Sequence, residues 1–257
     1  MEDVTLIKIK SEILNKVRTI YHKEFDEAYK KFKKNEKNKS EFYRKYLTPT
    51  SGLLYYLQWK ILSQISIKQL FIKSGLDKHI KKNITKDYLI YSMIFCRNHV
   101  NSINVKNYSL KNILHYDSYG PNTTTFWMPL HKINKNSGGL IFLSKKKLSN
   151  KDTKNFILLK RYKNKNLYQV KCEKGEIISF NKSLFHGANL PKRGFKRMTL
   201  DLRIADKKEI NLKKFNKNYY STKGVFRPNK FLSLNKIDNE LKKFALQNPR
   251  SLLQLNY

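Results

Sequence analysis

Between Tyr88 and Ile204 the chain breaks into short β-rich runs separated by Asn, Gly, Ser and Lys, and this punctuation restricts the fold more than any other feature. The runs are Tyr88–Cys96, Leu110–His115, Thr123–Leu130, Gly139–Leu143, Leu167–Cys172, Glu176–Phe180 and Arg197–Ile204. Many short strands at this spacing build an antiparallel sandwich or barrel rather than a parallel α/β sheet. The last run alternates clearly. Met198, Leu200, Leu202 and Ile204 face one way, and Arg197, Thr199, Asp201 and Arg203 face the other. The long basic stretch Ser144–Lys165 reads as an inserted loop.

The flanks have a different character. From Leu14 to Phe32 apolar residues recur mostly at spacings of three and four, which predicts an amphipathic helix. Lys33 to Lys45 is charged and reads as a solvated surface segment. Further helices are expected at Leu53–Ile65 and at Ile67–Ser74, the latter stopped by Gly75. After Asp206 the tail is rich in Lys and Asn, with one helix expected at Asn235–Leu246. The expectation is a single domain: a helical part over 1–87, a β core over 88–206 and a C-terminal extension over 207–257.

A chain of 257 residues buries roughly 70–75% of its unfolded surface, so it needs no disulfide or structural metal to fold. Cys96 and Cys172 lie outside any CxxC or Cys/His cluster, which argues against a zinc site. They read as unpaired core thiols of a reducing cytoplasm. No apolar segment follows the N-terminal charges as a signal peptide requires. The most apolar stretch, Leu53–Ile65, is interrupted by Gln58, Lys60, Ser63 and Gln64 and falls short of the ~18 residues of a membrane span. A cytoplasmic protein is expected. The formal charge of +35, from 54 Lys+Arg against 19 Asp+Glu, raises the question of a polyanion partner. The lysines, however, are scattered over the whole length rather than gathered in a stripe, and Asn is abundant too. That pattern favours a genome-wide compositional bias over nucleic-acid binding.

The chemistry-bearing residues begin at His115-Tyr116-Asp117, where the Leu110–His115 strand ends. In an extended chain residues i and i+2 share a face, so His115 and Asp117 can offer one nitrogen and one oxygen to the same ion. His186 follows another β-rich run, 69 residues beyond Asp117. Two histidines and a carboxylate occupy one face of an octahedral metal and leave three positions open, as in the facial triad of non-haem Fe(II) oxygenases. A bidentate 2-oxo acid and O2 would fill those positions. Arg197 stands eleven residues after His186, and its planar fork of donors suits a carboxylate. Thr199, on the same face, can add a hydroxyl.

Taken in order, the motifs resemble the phytanoyl-CoA dioxygenase-like branch of the Fe(II)/2-oxoglutarate oxygenases. They are His115-x-Asp117, Phe126-Trp127-Met128-Pro129-Leu130, Ser137-Gly138-Gly139-Leu140, Gly175-Glu176-Ile177-Ile178-Ser179-Phe180 leading to His186-Gly187-Ala188, and Arg197. The resemblance covers about residues 88–205. It implies a mainly β fold, a double-stranded β-helix (jelly-roll) core with N-terminal helices. It also implies Fe(II) on His115, Asp117 and His186, and Arg197 on the distal carboxylate of 2-oxoglutarate. The family's PGSH-like segment is missing, since Phe142-Leu143-Ser144-Lys145-Lys146 stands in its place. An intact Asp117 favours hydroxylation over the halogenation of relatives that lack this carboxylate. A small polar metabolite or sugar-like molecule is the expected substrate, with O2 consumed and succinate and CO2 released. Tyr119, Asn122 and Trp127 are candidate pocket residues. His99, Arg97 and Asn104 could line the pocket but read as edge or surface positions, and His131 reads as a turn residue. One of Phe126 and Trp127 must face the interior. Arg203, six residues after Arg197, also resembles the second arginine of AlkB-type nucleic-acid demethylases. That function, and a non-catalytic jelly roll that binds an anionic partner, are the alternatives.

Overall fold

The computed structural model describes residues 4–46, 52–100, 113–115, 117, 122–143, 156–158, 167–189, 191–192, 195–215, 219–220, 226–227 and 229–247. The N-terminal part runs through β1 (Val4–Lys8), α1 (Glu12–Phe32), α2 (Lys39–Tyr46), α3 (Gly52–Gln64), α4 (Ile67–Ser74) and α5 (Leu76–Asn83). The β core follows as β2 (Tyr88–Tyr91), β3 (Phe95–Val100), β4 (Ile113–His115), β5 (Thr123–Pro129), β6 (Leu140–Leu143), β7 (Phe156–Leu158), β8 (Leu167–Gln169), β9 (Glu176–Asn181), β10 (His186–Ala188) and β11 (Lys196–Asp206). A short tail carries α6 (Leu212–Phe215), β12 (Tyr219–Tyr220), β13 (Phe226–Arg227), β14 (Phe231–Leu232) and α7 (Ile237–Gln247).

From β3 to β6, and again from β8 to β11, successive strands go to alternate sheets. The larger sheet contains the order β3-β11-β5-β9, extended by β1 at one side and by β2 and β14 at the other; the smaller contains β4-β10-β6-β8, with β7 at its edge. That alternation, antiparallel throughout, is a jelly roll. Trp127, Ile178 and Phe180 of the larger sheet pack with Leu140 and Phe142 of the smaller one, so the inner faces meet. The turn into β6 needs glycine: a Cβ on Gly139 would lie 2.7 Å from Ile133 Cγ2.

The helices cover the other face of the larger sheet. Met198, Leu200, Leu202 and Ile204 of β11 join Tyr21, Phe25, Phe71 and Phe126 in one core. The Tyr21 hydroxyl donates to the Thr199 carbonyl at 2.8 Å, pinning α1 to β11. The remaining face of β11 points between the sheets, and Arg197, Thr199, Asp201 and Arg203 are all buried there. The alternation expected for this strand is therefore present, with Trp127 inward and Phe126 toward the helices. Helix α4 occupies the expected range, capped by Ser66 and by Asp238 of α7, and ended by left-handed Gly75.

Four expectations are corrected. Lys33–Lys45 is not wholly a solvated segment, because α2 buries Phe42 against Tyr29. The helical part opens with a strand, β1, which pairs with β9. Ser144–Lys165 contains β7, which pairs with β4; the rest of it lies outside the described residues. The run Tyr88–Cys96 is two strands, since Ser92 accepts the Lys230 amide while its own amide bonds back to the Lys230 carbonyl. Other elements also went unforeseen: α5 beyond Gly75, α6, the β12–β13 pair, and β14, which extends the larger sheet through β2. No helix of the described residues is long and apolar enough to cross a membrane.

Both cysteines are buried and unbridged. Burial pushes the Cys172 thiol up to about 12 and the Cys96 thiol up as well. The native protein is expected to show no reaction with a chromogenic disulfide reagent such as DTNB over minutes, and two thiols per chain once unfolded. Rapid labelling of either thiol in the native state would contradict their burial.

Candidate metal centre

His115 and His186 are paired residues of neighbouring strands, which brings their rings to 4.5 Å between centroids. Asp117 leaves β4 two residues on, and its amide donates to the Lys182 carbonyl at 3.2 Å. One ligand atom from each of His115, Asp117 and His186 lies within 4.8 Å of the others, a spacing that could hold a metal ion. The structure thus gathers the three residues predicted to act together.

Their surroundings fix which atoms point at the shared position. His186 Nδ1 donates to the Leu184 carbonyl at 2.9 Å, which leaves Nε2 as the lone-pair nitrogen. Burial lowers the affinity of this ring for a proton, keeping it in the neutral form that a metal requires. Asp117 Oδ2 accepts from Arg203 Nε at 2.9 Å and from Thr125 Oγ1 at 3.0 Å. Burial alone would raise its carboxyl; Arg203, with help from His186 and Thr125, outweighs burial and holds it well below the usual carboxylate range.

Along the same face of β11 several polar atoms are unsatisfied among the described residues. Arg197 Nε, Thr199 Oγ1 and Asp201 Oδ1 are buried, and none has a hydrogen-bond partner among the described residues. Arg197 is 2% exposed; its Nη1 donates to the Asn189 carbonyl, and its guanidinium lies 5.9 Å from the Trp127 ring centre. No carboxylate of the described residues pairs with it. Burial draws its pKa down to about 10, so it stays a cation at neutral pH. A buried guanidinium that makes no ion pair among the described residues, with only the more distant Asp201 to balance it, and a hydroxyl without a partner among them, together form an arrangement that could accept an anion.

The other candidates separate. Trp127 lies inside the sandwich, under Arg197. Asn122 is exposed, and its side chain accepts from Asn181 Nδ2 at 2.8 Å; among the described residues no contact ties it to the triad. Tyr116, Tyr119 and Asn104 lie outside the described residues. His99 stands opposite Arg197 in the strand register. His131 does more than turn the chain. Its Nε2 accepts the Met198 amide at 3.1 Å, and Nδ1 donates to the Lys132 carbonyl, so it buttresses the strand carrying Arg197. Arg97, a third exposed, pairs with Asp201 at 2.7 Å and stacks on Phe95. Sequence reasoning missed the Arg203–Asp117 pair, although the alternation of β11 had placed Arg203 on the inward face.

No protein-family model matches the chain, and no curated protein matches it. Among solved structures it is similar to two of SnoN, a non-heme α-ketoglutarate-dependent epimerase from nogalamycin biosynthesis, at 11% and 12% identity, with TM-scores of 0.38 and 0.41 over 55% of this chain. The chain spans little more than half the length of SnoN, 56% and 58% in the two structures. It is also similar to ThoJ, a non-heme monooxygenase, at 6% identity over 97% of this chain and 95% of that one, with a TM-score of 0.48. HygX from Streptomyces hygroscopicus, solved with nickel and 2-oxoglutarate, is 9% identical over 80% of this chain and 83% of its own, with a TM-score of 0.46.

Proposed function

We propose that the protein is a non-haem Fe(II) oxygenase with 2-oxoglutarate as co-substrate, of the phytanoyl-CoA dioxygenase-like branch, and that it hydroxylates a small polar metabolite or sugar-like molecule. The observation that carries this reading is the pairing of two features in one interior: a His-Asp-His cluster and, on the same strand face as its partner Arg203, the unpaired cation Arg197. Either alone is ambiguous. Together they match a co-substrate that chelates a metal at one end and presents a carboxylate at the other.

His115, Asp117 and His186 would hold the metal on one face. Bound there, Fe(II) would supply the oxidising chemistry with O2, coupled to oxidative decarboxylation of 2-oxoglutarate to succinate and CO2. The protein's own contribution is positioning. Leu184 fixes the His186 tautomer, Arg203 and Thr125 orient Asp117, and Arg197 with Thr199 aims the oxo acid by its far carboxylate. The packed inner faces around Phe142, Phe180 and Trp127 keep bulk water out. The retained Asp117 supports hydroxylation, because the carboxylate fills the position that a halide would need.

The test is anaerobic loading with Fe(II), addition of 2-oxoglutarate and air, and measurement of succinate. Succinate formed in proportion to loaded protein, and increased by the right compound in a metabolite screen, is expected. Tight Fe(II) binding with no succinate under any substrate would sink the oxygenase reading. Binding of an anionic polymer that weakens steeply with salt, again without succinate, would favour a non-catalytic jelly roll.

A further inference from the structure

A prospective metal ligand, Asp117, already carries a cation of the protein's own. Arg203 Nε lies 2.9 Å from Asp117 Oδ2, with side chains 5% and 3% exposed. Thr125 Oγ1 bonds the same oxygen, so both protein contacts fall on Oδ2. No other ion pair of the described residues has both side chains below one-tenth exposure. Arg203 is itself fixed: its guanidinium lies 5.4 Å from the Phe95 ring centre, and β11 is held by β5 and β3 on its two sides.

We infer that Arg203 is a resident cation that stands in for the metal at Asp117. It neutralises the buried carboxylate when no ion is bound, and it keeps Oδ2 engaged when one is, leaving Oδ1 as a single metal-directed oxygen. The inference deepens the proposed function and rests on its metal site. Two consequences follow from elementary electrostatics. The metal-free fold tolerates a buried acid that would otherwise be costly. The same fixed positive charge opposes an incoming divalent cation, so the site holds its metal less tightly than a His-Asp-His set without the arginine would. Arg203 is thus a positioning residue that exchanges metal affinity for a folded, loadable apo state.

The experiment uses Mn2+ as the probe, with thermal melting and calorimetry on the full chain. Arg203→Met is expected to lower the melting temperature of the metal-free protein by on the order of 10 °C, because it strands the Asp117 charge. Saturating Mn2+ should return most of that loss, so the metal-induced rise is larger in the variant than in the wild type. The Mn2+ dissociation constant should fall roughly tenfold or more. Arg203→Lys, which keeps a cation but not the Nε contact, should melt between the two. The double variant Asp117→Asn with Arg203→Met should melt above Arg203→Met without metal, since no charge is stranded. That double variant keeps the test open if the single one does not fold; failure of both would overturn the inference. A metal-free melting point unchanged in Arg203→Met, or a Mn2+-induced rise no larger than in the wild type, would overturn it too. Wild type that binds no Mn2+ sinks the metal site and this inference together. Wild type that binds Mn2+ while Arg203→Met behaves identically sinks this inference alone.

Discussion

Replacing His186 by alanine is expected to abolish both metal binding and 2-oxoglutarate turnover while leaving the protein folded. The ring is buried, contacts the rings of Phe180 and His115, and lies on the three-residue strand β10. Removing it leaves a cavity, at a cost of about 2–4 kcal/mol by analogy with other large-to-alanine changes in cores. That is within the 5–15 kcal/mol typical of a domain, so the variant should fold. Because His186 is neutral in the metal-free protein, its removal strands no charge, unlike removal of Asp117. Loss of function therefore reads on the metal. Outer partners that carry no charge opposing the metal already cost about 10–100-fold in affinity or activity when mutated; loss of a ligand itself should exceed that, to about 1,000-fold or more in turnover. The measurements are Mn2+ binding by calorimetry and succinate release under Fe(II). A variant that retains wild-type metal affinity would remove His186 from the site, whatever its activity. Asp117→Asn offers a second reading of the same question: it keeps the volume, weakens the metal and leaves Arg203 without its anion.

What the sequence disclosed of this site followed from short-range geometry. His115 and Asp117 share a face because they are two apart at a strand end, and the β11 row of Arg197, Thr199, Asp201 and Arg203 is plain period-two alternation. What it hid was set by distant pairing. That Arg203 would meet Asp117, 86 residues earlier, depends on how far the two sheets are offset, which no local pattern records. β1 escaped notice because a five-residue run earns its strand state only by hydrogen bonding to β9, far along the chain. In α2 the apolar signal is Phe42 and Tyr43 within a charged octet, too little for periodicity to rise above the lysines. The unforeseen β7 is three residues long and exists through β4. Tertiary context overrode composition in each case.

Arg197→Met is expected to weaken 2-oxoglutarate binding strongly and, in the same protein, to leave the ligand-free fold as stable as before or more so. The opposite signs are the informative part. Truncating one partner of a buried charge pair costs about 2–5 kcal/mol, so the KM for 2-oxoglutarate should rise about 30-fold to several thousand-fold. Without co-substrate the same guanidinium is a buried cation held through Nη1 by the Asn189 carbonyl, with Nε unsatisfied and no ion pair among the described residues, Asp201 acting on it only from farther off. Methionine of similar length fills the space next to Trp127 without that charge, and exchanging buried charge for well-packed apolar volume is often neutral or stabilising. Asn189 is exposed, so water can satisfy its carbonyl afterwards. Metal affinity should not change, because Arg197 contacts none of the three ligands. Melting curves with and without 2-oxoglutarate in the presence of Mn2+ separate the effects: the wild type gains stability from the oxo acid and Arg197→Met does not. If Arg197 were a structural arginine, the variant would melt well below the wild type in the absence of ligand and would still gain stability from 2-oxoglutarate. That outcome would move the carboxylate receptor elsewhere. A site built for an anion instead carries its cation at a cost until the anion arrives, the trade between stability and activity expected of a preorganised pocket.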